Sequence, residues 1–363
     1  MGKELIYLDY AATAPLAETA KTAMADGFAL VGNPSSVHRA GRAARDAISK
    51  VREQLAAALG TTPGQVVFTS GGTEANALAL TQVPQSKRYV SAIEHEAVLS
   101  WTLPAYHLPV TAHGIIDLEG AQARLSSWEP GLVSLMLVNN ATGIIQPVTA
   151  LAEIAHAHGH LVHCDGVQAF GKVPIDIATL GADFLTVSAH KIGGPKGIGA
   201  LIVKDGFALT ALLQGGGQER RRRPGTENVL GILGFGGALE AIGDYAGSAH
   251  YDALQASIET HVGAAHVAGS ASSRVPHILS VRMAGVKNQL QLMRFDLAGL
   301  CVSAGSACSS GKVAGNHVLE VMGLGESAEE YIRLSFGPST TSRHIAQFLS
   351  VWDDIRASQK AAA

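Results

Sequence analysis

The sequence predicts an α/β protein, with a large unit built on a mostly parallel sheet between helices and a smaller α+β unit towards the C-terminus. Three observations carry this reading. Short apolar runs alternate with helix-like stretches from about residue 65 to residue 204, which is the pattern of βαβ units rather than of hairpins. Most runs end in Gly, Asp, His or Asn. Near Tyr245 a long helical pattern gives way to alternating short runs, which marks the boundary between the units.

The elements follow in order. Val66-Val-Phe-Thr69 leads into Ser70-Gly-Gly-Thr-Glu74, and 88–93 leads into Glu94-His95-Glu96. The run 132–138 ends at Asn139-Asn140, 160–164 at Asp165, and 184–187 at Ser188-Ala-His-Lys191, with 199–203 as a last strand. Continuous apolar runs fit strands buried on both faces. Helices are expected over 36–59, 149–158 and 229–245. The segment 215–228, with Arg220-Arg-Arg-Arg223, has no apolar period and reads as an exposed loop. In such sheets ligands sit beyond the carboxyl ends of the strands, where the polar residues gather here.

Bulk properties narrow the class. The 363 residues are too many for one simple core. Net charge −3 gives no global attraction to nucleic acid or to an anionic membrane. No apolar run approaches the roughly 18 residues of a membrane span, and the first residues lack the pattern of a cleaved leader. The 41 glycines fall in short loops, which suggests backbone approaching a ligand. Only three cysteines occur, Cys164, Cys301 and Cys308. Such a sparse, odd set argues against a disulfide framework and for a reducing compartment, so a cytoplasmic enzyme is expected.

Several residues carry chemistry. Lys191, on a Gly-rich turn after a strand, can form a Schiff base if its ammonium is partly desolvated; a solvated turn lysine is the plainer alternative. Ser188 and His190 beside it could ligand a phosphate. Asp165 ends a strand one helix and one strand earlier. A buried carboxylate needs a cationic partner, and the protonated pyridine nitrogen of pyridoxal phosphate (PLP) is one that would turn the ring into an electron sink. A helix-capping Asp is the alternative. Ser70-Gly-Gly-Thr-Glu opens a helix whose N-terminus could face a phosphate. His95 could stack on a planar ring or move protons. Arg333 could grip a carboxylate as a fork, or else sit in a surface ion pair. Cys164 and Cys301 lie in apolar runs and read as buried, inert thiols. Cys308, in Gly305-Ser-Ala-Cys-Ser-Ser-Gly311, reads as an exposed thiol that could act as a nucleophile.

Together these residues resemble the cysteine desulfurases of the NifS/IscS type, among the class V aminotransferases. The motifs are Tyr7-Leu-Asp-Tyr-Ala-Ala-Thr13, Gly32-Asn-Pro-Ser-Ser-Val-His38, Thr69-Ser-Gly-Gly-Thr-Glu74, Val138-Asn-Asn140 and Asp165-Gly-Val-Gln168. They continue with Ser188-Ala-His-Lys191, Arg223-Pro-Gly-Thr226, Gly305-Ser-Ala-Cys308 and Ile332-Arg-Leu-Ser335. The likeness spans nearly the whole chain. It departs at Asn139-Asn-Ala-Thr-Gly143, where the family commonly has Asn-Asn-Glu-Ile-Gly.

The resemblance implies a fold-type I PLP-dependent transferase. Its large domain, 15–245, would hold a mostly parallel seven-stranded sheet, and its smaller α+β domain, 1–14 with 246–363, would carry the Cys308 loop. Lys191 would hold PLP, Asp165 pair with its pyridinium, and His95 stack on its ring. Gln168 and Asn140 would lie beside its phenolic oxygen or the substrate. Gly72, Thr73, Ser188 and His190 would ligand its phosphate, and Thr226 would reach the phosphate in the partner of a homodimer. Asn33 and Arg333 would bind the carboxylate of L-cysteine. Cys308 would take the sulfur as a persulfide, leaving alanine, and pass it to an iron–sulfur scaffold or another acceptor protein. No resident metal is implied, although Cys308 could transiently ligate an iron–sulfur cluster. A PLP lyase or aminotransferase for another amino acid, selenocysteine included, stays open. So does a non-catalytic sulfur-relay or scaffold-binding subunit.

Overall fold

The computed structural model describes residues 5–246, 249–305 and 316–362. Its strands are β1 (Ile6–Tyr7), β2 (Val66–Thr69), β3 (Arg88–Ser91), β4 (His107–Leu108), β5 (Leu132–Ser134), β6 (Leu161–Asp165), β7 (Phe184–Ser188), β8 (Gly199–Val203), β9 (Ile278–Arg282), β10 (Leu300–Cys301) and β11 (Tyr331–Ser335). Its helices are α1 (Glu18–Gly27), α2 (Arg39–Ala58), α3 (Gly72–Leu80), α4 (Glu96–Leu99), α5 (Leu118–Leu125), α6 (Val148–Ala157), α7 (Ile177–Leu180), α8 (Val229–Glu240), α9 (Ala249–Val262), α10 (Asn288–Leu297), α11 (His317–Val321) and α12 (Ser342–Ala362).

Seven strands form one sheet in the order β2-β8-β7-β6-β5-β3-β4. Only β8 runs against its neighbours β2 and β7. The other six therefore point their carboxyl ends to one edge. Strands β2, β7 and β8 are buried at every position, as their apolar runs require. The run expected over 132–138 is a strand only as far as Ser134, although Leu135 N and Leu137 N still donate to the His163 and Asp165 carbonyls of β6.

Helix α2 buries Ala44, Ile48, Val51 and Leu55 on one stripe, the spacing that made it legible. The helix expected over 229–245 breaks after Glu240 into a short 3₁₀ turn, Ile242–Tyr245. Its glycines stand outside the short loops in which glycine otherwise clusters. A Cβ at Gly237 would meet the Thr19 carbonyl at 2.5 Å, so this helix is glycine-rich to let α1 lie against it.

A second core lies apart from the sheet. It joins Ile6 and Leu8 with Ile258, Leu279, Val281, Phe295, Ile332, Leu334, Phe348 and Trp352. Here β9 pairs antiparallel with β11, and β1 pairs with β10. The chain's first strand thus belongs with its last third. This threading carries residues 9–13 across the carboxyl edge of the large sheet. Among the described residues, no single helix is long and apolar enough to cross a membrane.

Candidate active site

The carboxyl edge of the sheet opens on a cavity of about 690 Å³. It is lined by Gly72 and Thr73 from α3, His95 after β3, Asn140 after β5, Asp165 and Gln168 after β6, and Ser188, His190 and Lys191 after β7. Arg333 reaches it from β11. Residues far apart in sequence meet there because parallel strands deliver every crossover's first turn to one edge.

Asp165 ends β6, beside β7, whose following turn carries Lys191. Its Oδ1 accepts from Val167 N at 2.9 Å and its Oδ2 from Asn76 Nδ2 at 2.8 Å. Asn76 stands one turn after Gly72 on α3, so it shares that helix face. Both donors are neutral, and among the described residues no cation pairs with this buried carboxylate. Glu94 is fully buried nearby, and burial, with Asp165 close, pushes its carboxyl well above the usual range. Its Oε1 accepts from Met136 N at 2.6 Å.

Lys191 Nζ donates to the carbonyls of Ala11 (2.7 Å) and Ala12 (2.8 Å). Gln168 Nε2 donates to the same Ala11 oxygen at 2.8 Å. His95 caps α4, its Nδ1 accepting from Ala97 N at 3.0 Å. That bond leaves the neutral ring's proton on Nε2. Burial, with Lys191 and Arg333 nearby, holds its pKa below the ordinary histidine value. His190 is pushed down to about 4 by burial and by Lys191, Lys196 and Lys172, so at neutral pH it is an uncharged ring. Its Nδ1 sits 3.2 Å from Thr13 Oγ1. Beneath the floor, His163 bridges Ser134 and Thr186 across three strands at 2.8 and 3.0 Å, kept neutral by burial.

Arg333 is 4% exposed, which corrects the alternative of a surface ion pair. Its Nη2 donates to Asp9 Oδ1 at 2.8 Å, and its Nη1 to the carbonyls of Asn140 (3.0 Å) and Gly305 (3.3 Å). Its Nε, Ser188 Oγ and Asn140 Oδ1 are buried without a hydrogen-bond partner among the described residues. Buried polar atoms rarely stay unpaired. A donor, a hydroxyl and an amide oxygen around one cavity are the mark of a polar ligand.

Two expected site residues lie elsewhere. Asn33 is exposed and its Oδ1 accepts from Ser35 N, and Thr226 is exposed; neither lines the cavity. Cys308 lies outside the described residues. The segment 215–228 is less free than an exposed loop. Glu219 is buried, its carboxylate gripped by Arg52 at 2.7 and 2.6 Å and by Phe68 N at 3.0 Å. Glu219, Arg220 and Arg221 all take left-handed backbone, with φ of 47°, 58° and 66°, at about 1–2 kcal/mol each. The buried bidentate pair offsets that strain. Cys164 is buried as expected, whereas Cys301 is only half-buried because β10 is an edge strand.

The profile of the family Aminotransferase class-V matches residues 6–348. The chain belongs to this family. Class-V aminotransferases of this kind depend on PLP, and the cavity fits that group. Among the described residues no cation pairs with Asp165, where a pyridinium would stand. Ser188 Oγ lacks a partner among the described residues, and a Cβ at Gly72 would meet Val167 Cγ2 at 2.9 Å, so the start of α3 is kept open beside it. Among its relatives, a cysteine desulfurase of Cereibacter sphaeroides is 39% identical over 96% of this chain and 95% of its own. The cysteine desulfurase IscS of Dictyoglomus turgidum is 36% identical over 97% and 95%. A NifS-like protein of Rickettsia africae superposes with a TM-score of 0.88 at 34% identity, covering 98% of this chain and 100% of the other. A structure described as SspA in complex with cysteine gives 0.78 at 31% identity over 92% and 99%.

Proposed function

We propose that this class-V family member is a cysteine desulfurase, taking sulfur from L-cysteine onto Cys308 and releasing L-alanine. The observation that carries the reading is the placement of Gly305 and Asn316, which both line the cavity that holds Lys191 and Arg333. The segment between them carries Cys308. Cys308 stands three residues after Gly305 in the sequence. A transaminase acting on another amino acid has no use for such a thiol. The relatives named as cysteine desulfurases support the same reading.

Lys191 would hold PLP, Asp165 its ring nitrogen, Gly72, Thr73, Ser188 and His190 its phosphate, and His95 and Gln168 its ring and phenolic oxygen. The group supplies an electron sink that weakens the substrate's Cβ–Sγ bond. Arg333, oriented by Asp9, and Asn140 hold the substrate carboxylate. His95, with its Nδ1 engaged by Ala97 N, keeps Nε2–H as a hydrogen-bond donor. In the sulfur transfer, Cys308 Sγ forms a bond to the substrate's Sγ. The Cβ–Sγ bond breaks with its electron pair on carbon, which takes a proton to give alanine. The thiol is oxidised to a persulfide as the carbon is reduced, so no outside oxidant enters.

We take residues 15–245 as the large domain and 1–14 with 246–363 as the small one. The working unit is a homodimer in the cytoplasm, with Thr226 reaching the phosphate in the partner's site. An acceptor protein removes the persulfide. Arg333→Lys loses the planar fork and leaves a point charge. It should raise KM for cysteine about tenfold or more while the spectrum of bound PLP stays unchanged. Incubating the PLP-loaded protein with cysteine and a thiol reductant should yield alanine and sulfide in equal amounts. Pyruvate and ammonia in their place would remove the desulfurase reading.

A further inference from the structure

Lys172 is a buried amine that the reading above does not use. It sits in the turn after β6, 5% exposed, and no carboxylate pairs with it among the described residues. Its Nζ donates to the Gln168 carbonyl at 3.0 Å and lies 3.4 Å from Gln168 Oε1. A buried ammonium without a counter-anion is costly, and a core position would be filled as well by Met. Burial, with Lys191 nearby, pushes its pKa down to about 7. The other titratable groups around it are His190, after β7, and His277, ahead of β9, both of which feel its charge. Asp165 is held by Asn76 and Val167 N.

The contacts form a line. Lys172 takes the oxygen end of the Gln168 amide, and the nitrogen end donates to Ala11 O at 2.8 Å. The same carbonyl accepts from Lys191 Nζ at 2.7 Å. A donor at one end and an acceptor at the other leave the amide one orientation. We propose that Lys172 is a positioning residue for Lys191: it fixes the Gln168 amide against Ala11 and sets a second amine beside the first. Two nearby ammonium groups each disfavour the other's charged form, and an amine must be uncharged to bond to a carbonyl carbon.

This inference rests on Lys191 being the cofactor lysine. The test is a pH titration of the visible band of the PLP-loaded protein, in wild type, Lys172→Met and Lys172→Gln. Removing the second amine eases protonation at Lys191. In both variants the midpoint should therefore move upward by about one pH unit, with PLP still bound. Midpoints equal to the wild type's in folded, loaded variants would overturn the inference and leave the Lys191 reading intact. Failure of both variants to fold would overturn it too, since Lys172 would then be a structural requirement. A wild-type protein that shows no visible band with PLP would remove the Lys191 reading, and this one with it.

Discussion

Lys191→Ala should abolish the visible band of bound PLP and lower turnover by about a thousandfold or more. Lys191 lines the cavity after β7, and the strand next to β7 ends in Asp165. The other nearby amine, Lys172, is buried against Gln168 and does not line the cavity. It is therefore badly placed to substitute. Lys191 is half-buried, and it hydrogen-bonds the Ala11 and Ala12 carbonyls without belonging to the hydrophobic core, so the variant should fold and melt much as the wild type does. An absorbance spectrum decides it: an unchanged band in the alanine variant contradicts the assignment.

The second large effect belongs to Cys308. Cys308→Ser should keep PLP with an unaltered spectrum and should bind cysteine, because every residue assigned to hold cofactor and substrate is elsewhere. It should release little or no alanine, since a serine hydroxyl is a far weaker nucleophile towards sulfur than a thiolate. The other thiols cannot take over. Burial raises the pKa of Cys164 well above its ordinary value, and burial with Asp296 and Asp9 raises that of Cys301. Both stay protonated near neutral pH, the unreactive form. Cys164→Ser and Cys301→Ser should keep most of the turnover. Alanine assays on the three variants check this together.

How much of this was legible in the sequence depends on which force set each feature. The sheet was, because strands buried on both faces must be continuous apolar runs, as in Phe184–Ser188 and Gly199–Val203. The stripe of α2 was, through its helical period. The ends were not: the apolar run 132–138 continues past Ser134, where the strand stops, and nothing in its composition marks that point. Lys191, Asp165 and His95 were legible because polar residues at strand ends have few structural reasons to be there. Asn76, Glu94 and Lys172 were not singled out, since each acts through one neighbour in space. Asn76 alone left a trace, its one-turn spacing from Gly72. The grip of Arg52 on Glu219 was hidden because residues 52 and 219 lie far apart in the chain, and the arginine run suggested solvent instead.

The central claim is that sulfur from cysteine arrives on Cys308. The most direct measurement is the mass of the peptide containing Cys308 after one turnover of the PLP-loaded protein with a stoichiometric amount of cysteine, without reductant. The account predicts that this peptide gains one sulfur atom, that dithiothreitol removes it, and that one alanine appears for each sulfur gained. Alanine formed while the Cys308 peptide keeps its mass, or sulfur found on Cys164 or Cys301 instead, would contradict it.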